Sequence, residues 1–290
     1  MAAEKTVSLI LGSGGARGLA HIGIIHWLQD NDYDIRSIAG CSMGALVGGV
    51  YAAGKLDVFT EWVRAITATD MLKLLDISFG SSGMVKGEKI INTLKDLVGE
   101  QRIEDLPMTY TAVASDIVNE KEIWLNKGPL FDAIRASISL PFFFTPARLN
   151  GVELLDGGIL NPVPIAPTFS DNTAVKIAVN LGGPVDKHIT ATNHQDQQAQ
   201  AEPDLMDKIS RFVDAIQGER DESGNGTLGM LDIADQSFDA MQGAIARTKL
   251  AAYPPDIIIE LPRNICGTLE FDRADEMIEI GYSTAAKILN

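Results

Sequence analysis

Cysteine is nearly absent from the 290-residue chain. Cys41 and Cys266 are too few for a disulfide framework or a cysteine-rich zinc site, and they fit a reducing compartment. Histidine is scarce as well: His21, His26, His188 and His194 are all that imidazole chemistry has to draw on. Aromatic residues make up only 6%. Positive charge is in deficit, with 24 Lys and Arg against 39 Asp and Glu and a formal net charge of −15. Such a chain gains nothing by neutralising phosphates, so nucleic acid is not an expected partner. Nor is it drawn to anionic lipid by charge. Long apolar runs are missing too. Residues 7–11 run straight into a glycine turn, and residues 44–54 fall far short of the roughly 20 needed to cross a bilayer. The first residues have neither the basic nor the apolar region of a signal peptide. The expectation is a cytoplasmic protein, peripheral to a membrane at most and touching it through apolar loops. Oligomeric state is left open.

Glycine, by contrast, is plentiful at 27 residues, and 46% of the chain is hydrophobic, ample for a large core. Short β-branched runs at 6–11, 35–40, 109–115, 122–125, 174–181 and 257–261 read as strands. Helical periodicity marks 19–29, 44–53, 59–66, 87–98, 130–138, 205–216, 228–249 and 271–289. Asn150-Gly151 signals a hairpin within 148–155. Strands alternating with helices predict an α/β fold, a central mainly parallel sheet covered by helices on both faces. Residues 6–181 form the expected core and residues 182–228 a variable insertion with one helix. Residues 229–290 are expected to complete the same domain.

Three glycine turns carry the chemistry. Gly12-Ser13-Gly14-Gly15-Ala16-Arg17-Gly18 joins the first strand to the first helix, where backbone N–H groups bind an anion or a developing oxyanion. Its spacing breaks the dinucleotide fingerprint, and no P-loop lysine follows. Gly40-Cys41-Ser42-Met43-Gly44 is a G-x-S-x-G elbow, with a strand before it and a small-residue helix after it. If the first two strands are adjacent and parallel, both turns share one sheet edge, and Gly14 and Gly15 face the Ser42 hydroxyl. Cys41 is expected to point away. The third turn is Asp156-Gly157-Gly158. Ser42 needs a base, and the histidines are poorly placed: His21 and His26 read as ordinary helix residues, while His188 and His194 flank or sit in a polar stretch. Asp156 can accept the proton directly if its site desolvates it.

As a set, these segments resemble the patatin-like phospholipases, in particular the compact bacterial members. The shared features are Gly14-Gly15-Ala16-Arg17-Gly18, the Gly40–Gly44 elbow and Asp156-Gly157-Gly158. Ala136-Ser137-Ile138-Ser139-Leu140-Pro141 resembles the family's segment upstream of the aspartate. The resemblance implies a Ser42–Asp156 dyad without histidine, an oxyanion hole at Gly14 and Gly15, and acyl hydrolysis without metal or cofactor. Arg17, Gly40, Gly44, Gly157 and Gly158 support it, Arg17 by fixing its loop. The substrate class is phospholipid or lysophospholipid esters. A thioesterase and a neutral lipid esterase use the same dyad and stay open. So do a triad with His188 or His194, a nucleotide-binding oxidoreductase and a non-catalytic regulator.

Other features are weighed and set lower. Asp221, Ser223, Asn225, Gly226 and Asp232 fall in register with a calcium loop, but its last position is Asp rather than Glu and no second loop pairs with it. The run Pro141 to Pro146 reads as buried core rather than an acyl groove. Residues 77–87 read as a loop, either a lid or a helix lead-in.

Overall fold

The computed structural model describes residues 5–74, 86–141, 143–187, 189 and 230–290. The helix expected over 205–216, His188, His194, residues 77–85, the calcium-like loop up to Gly226 and the side chain of Asp232 lie outside them. The chain forms two compact units, residues 1–186 with 242–290 and residues 187–241. The described part of the second unit is helical from Met230.

In the first unit the strands are β1 (Thr6–Leu11), β2 (Asp34–Cys41), β3 (Thr109–Asp116), β4 (Lys121–Leu125), β5 (Ala147–Leu149), β6 (Val152–Asp156), β7 (Val175–Gly183) and β8 (Ile257–Pro262). The helices are α1 (Ala20–Asp30), α2 (Met43–Ala52), α3 (Leu56–Ala65), α4 (Ala68–Leu74), α5 (Glu88–Val98), α6 (Leu130–Ser137), α7 (Met230–Ala252, with residues in both units) and α8 (Ala274–Leu289). The strands form one sheet in the order β5-β6-β3-β2-β1-β7-β8, with β4 also on β3. The pairs β2–β1, β1–β7, β3–β2 and β7–β8 are parallel, whereas β4 and β6 meet β3 antiparallel. Helix α4 carries no clear periodic signal and was not foreseen.

All six residues of β1 are buried, as a strand packed on both faces requires. Side chains alternate across the sheet. Ile10 and Ala178 pack with Ala246 and Leu250 of α7 on one face. On the other, Leu11 and Ile38 meet α2 so closely that a Cβ on Gly48 would stand 2.7 Å from Ile38. Helices therefore cover both faces.

One detail of register sets up the site. Strand β4 occupies one edge of β3 over Ala112–Asp116. Strand β2 occupies the other edge as far as the Cys41–Val113 pair, and β6 continues it through Ala114–Asp156 and Ser115–Leu155. The last residue of β6 thus arrives immediately beyond the last residue of β2.

Candidate active site

The elbow is tightly built. Ser42 sits at φ 55°, ψ −124°, a left-handed conformation that costs a non-glycine residue on the order of 1–3 kcal/mol. Its neighbours must be small, because a Cβ on Gly44 would lie 2.1 Å from the Leu11 carbonyl oxygen. The Ser42 N–H donates to Ser137 Oγ at 2.9 Å, and that hydroxyl donates to the Val113 carbonyl at 2.7 Å.

Across the β2–β6 junction, Ser42 Oγ donates to Asp156 Oδ2 at 2.6 Å. The other carboxylate oxygen accepts the Gly158 N–H at 2.7 Å, and the Asp156 N–H donates to the Ser139 carbonyl at 2.9 Å. The segment 136–141 therefore holds both partners, Ser42 through Ser137 and Asp156 through Ser139. Asp156 is fully buried, and this burial pushes its pKa up to about 6 against the opposing hydrogen bonds from Ser42, Gly158 and Cys41. Among the described residues no histidine contacts Ser42 or Asp156.

The first glycine turn lies at the same sheet edge. Its ends are pinned by Ser13 N–H to the Pro162 carbonyl, 2.8 Å, and Ala16 N–H to the Thr268 carbonyl, 2.9 Å, with Gly14 and Gly15 between them. Gly15 adopts φ 55°. Arg17 is buried and donates to the Gly14 carbonyl at 3.2 Å and the Arg263 carbonyl at 2.5 Å, so it braces the loop from within the fold. Gly15 and Ser42 line one apolar cleft.

A family model of the patatin-like phospholipases matches residues 9–169. The chain belongs to this family. It is 40% identical to an uncharacterized NTE family protein of Mycobacterium tuberculosis, across 98% of this chain and 91% of that one. A lysophospholipase NTE1 of Pyricularia oryzae is 27% identical over 98% of this chain but only 18% of its own length. Neuropathy target esterase sws of Drosophila melanogaster is 31% identical over 64% of this chain and 14% of its own. Membership makes the protein a lipid ester hydrolase.

In this patatin-like phospholipase several placements differ from expectation. Cys41 does not point away: its buried thiol donates to Asp156 Oδ1 at 3.9 Å, because β6 continues the edge just past Cys41. Burial, and then the charge of Asp156, push the thiol well above its ordinary range, so it stays protonated. Phe143 and Phe144 are not core between prolines. They line the cleft and pack on Met71 together with Ile66 and Phe271. The cleft walls also include Leu19, Met43 and Leu46 near the elbow, Phe59, Trp62 and Val63 of α3, and Ile90 and Leu94 of α5. None of these side chains is charged.

Two site residues escaped the sequence. His21 lies fully buried with Nε2 2.9 Å from the Gly12 carbonyl. Burial pulls its pKa down to about 4, so at neutral pH it is an uncharged brace behind the glycine turn. Gln242 of α7 donates from Nε2 to Ser13 Oγ at 3.4 Å. No local motif marks either one. Among the described residues no group of three His, Cys, Asp or Glu is placed to hold a metal, and no helix is long and apolar enough to cross a membrane.

Proposed function

We propose that Ser42 and Asp156 are a catalytic dyad that cleaves fatty-acyl esters of phospholipids or lysophospholipids. The observation that carries this reading is the 2.6 Å hydrogen bond from Ser42 Oγ to a fully buried carboxylate. Asp156 takes the Ser42 proton as Oγ bonds to the carbonyl carbon, and the carbonyl electron pair moves onto oxygen. The N–H groups of Gly14 and Gly15 receive that charge. As the carbonyl re-forms, the C–O bond to the alcohol breaks and Asp156 returns its proton to the departing oxygen. Water then attacks the acyl-enzyme, losing its proton to Asp156; the proton goes back to Oγ, and fatty acid leaves.

The apolar cleft beside Ser42 is the acyl-chain site in this reading. Leu269, nearly half exposed at the cleft mouth, offers the kind of apolar contact by which a chain of net charge −15 reaches lipid. The lysophospholipase names of the fungal relatives favour the phospholipid class. Residues 6–181 carry the chemistry in this reading, and residues 182–228 vary with the substrate.

Labelling with a fluorophosphonate and mapping the adduct tests the nucleophile. The adduct is expected on Ser42 and absent from Ser42→Ala; an adduct elsewhere overturns the assignment. The double variant His188→Ala/His194→Ala is expected to keep its activity, and its collapse would establish a triad instead. Comparing phospholipid, thioester and triacylglycerol substrates separates the three hydrolase classes. Because the base must be ionised, kcat/KM is expected to fall as pH drops through about 6. An acid limb near 4 would contradict desolvation of Asp156. Half-buried Ile90 lines the cleft, so Ile90→Trp is expected to cut hydrolysis of long-chain esters at least tenfold relative to butyryl esters. Equal effects on both would remove the cleft as the acyl site.

A further inference from the structure

Strands β1, β2 and β3 run parallel, so the turns that follow them share one end of the sheet, the end at which Ser42 lines its cleft. Strand β3 passes beyond that level. Its Val113 pairs with Cys41 and its Ala114 with Asp156, and the chain turns back into β4 only after Asp116. At about 3.3 Å per residue, the turn at 117–120 projects roughly 10 Å past the rung of Asp156. Both of its apolar side chains stand in water: Val118 is 83% exposed and Ile117 47%. Val152 lies on antiparallel β6, four residues before Asp156. It counts to the same level on the neighbouring strand and is exposed as well. At the opposite end of the sheet Phe169 and Tyr253 precede β7 and β8, and there the two rings pack on each other at 5.2 Å.

The turn is built so that it can leave water. Asp116 is buried, and its carboxylate accepts the Val118 N–H at 3.1 Å, the Asn119 N–H at 3.0 Å and the Asn119 side-chain amide at 2.7 Å. Donors that would lose their water on entering an apolar layer are already paired inside the turn, which removes much of the cost of entry. The flanking charges, Glu120 and Lys121, cancel, whereas the whole chain carries −15. A neutral, apolar tip on an acidic protein fits a lipid surface without net charge, and the acidic remainder opposes an anionic one. A lipid ester hydrolase has to bring its cleft to such a layer, and the tip projects from the cleft end of the sheet. We propose that the β3–β4 turn, through Ile117 and Val118, docks the protein on zwitterionic lipid surfaces with that end facing the lipid. This rests on the lipid substrate proposed above; docking itself does not need the Ser42–Asp156 chemistry.

Cys41 and Cys266 are buried, so Val118→Cys directs a thiol-reactive nitrobenzoxadiazole dye to the turn. Its emission is expected to rise and shift to the blue when phosphatidylcholine vesicles are added; unchanged emission overturns the proposal. In Ile117→Ser/Val118→Ser, partition onto these vesicles, read by sedimentation, is expected to fall about tenfold or more. Hydrolysis of a vesicle-borne ester should fall with it, while a soluble butyryl ester is cleaved as by wild type. Equal partition of the two proteins overturns the proposal, and so does tighter binding of wild type to phosphatidylglycerol than to phosphatidylcholine vesicles. A wild-type dimer that the double variant loses, with partition unchanged, assigns the turn to a second copy of the chain instead. Ser42→Ala is expected to bind vesicles as wild type does. Wild-type protein that docks through the turn yet cleaves neither ester sinks the dyad and leaves the docking surface standing. Cleavage of both esters with unaltered partition in the double variant sinks the docking surface alone.

Discussion

Asp156→Asn is expected to abolish ester hydrolysis while making the folded protein more stable at pH 8. The loss of activity follows from removing the proposed base, which Ser42 Oγ touches at 2.6 Å, and should reach about 10³-fold or more. The gain in stability follows from burial. An unfolded chain ionises this carboxyl near its ordinary value of 3.8, whereas the folded protein holds the proton until about pH 6. Between those values the folded state binds the extra proton, so stability falls as pH rises, and above 6 the full cost persists. About 2 pH units correspond to about 3 kcal/mol, and Asn carries none of it. Denaturant unfolding of both proteins should show little difference at pH 4 and a clear advantage for Asn at pH 8. An Asn variant less stable than wild type at pH 8 would mean that the Ser42 and Gly158 hydrogen bonds outweigh desolvation.

Gly15→Ala is expected to lower kcat by about 10²–10³-fold with KM within threefold. The added methyl would lie 2.5 Å from the Thr268 carbonyl oxygen on a backbone held at φ 55°, so the turn must move. Movement displaces the N–H groups proposed to receive the oxyanion, while the apolar cleft, the proposed acyl site, is left in place. Gly54→Ala supplies the control. That glycine also has positive φ, 68°, but no atom lies within 4 Å of its added Cβ. Its substitution should cost about 1 kcal/mol of stability and leave kcat per folded molecule unchanged. Similar kcat losses in both variants would show that general destabilisation, not the oxyanion loop, is being measured.

Most of the sheet was legible because its strands announce themselves. Residues 6–11 and 174–181 are short, predominantly apolar runs bounded by turn residues, and the Asn150-Gly151 turn joins β5 to β6 as expected. The Ser42 elbow was legible because the required strand, turn and small-residue helix are contiguous in sequence. What stayed hidden depends on distance along the chain. His21 braces Gly12 from nine residues away on a helix whose periodicity gives it no special standing. Gln242 meets Ser13 across 229 residues. Phe143 and Phe144 are apolar in either role, and only the placement of α3 and α5 decides that they border a cleft rather than fill a core. The inward turn of Cys41 follows from β6 replacing β2 along β3, a pairing that no local pattern encodes.

That replacement makes β3 a measuring rod for the chemistry. The proposed nucleophile follows β2 and the proposed base ends β6, yet Cys41, next to Ser42, and Asp156 pair with consecutive residues of the same third strand, Val113 and Ala114. The loops between Ser115 and Leu155, outside β4, α6 and the segment 136–141, can therefore change length without disturbing Ser42 and Asp156, provided the ladder closes at the same rung. A slip of a single rung would carry Asp156 roughly 3.3 Å along the edge and turn its carboxylate to the opposite face of the sheet. In the proposed mechanism hydrolytic competence is thus quantised: the protein pairs in one alignment and works, or pairs in the next and is inert.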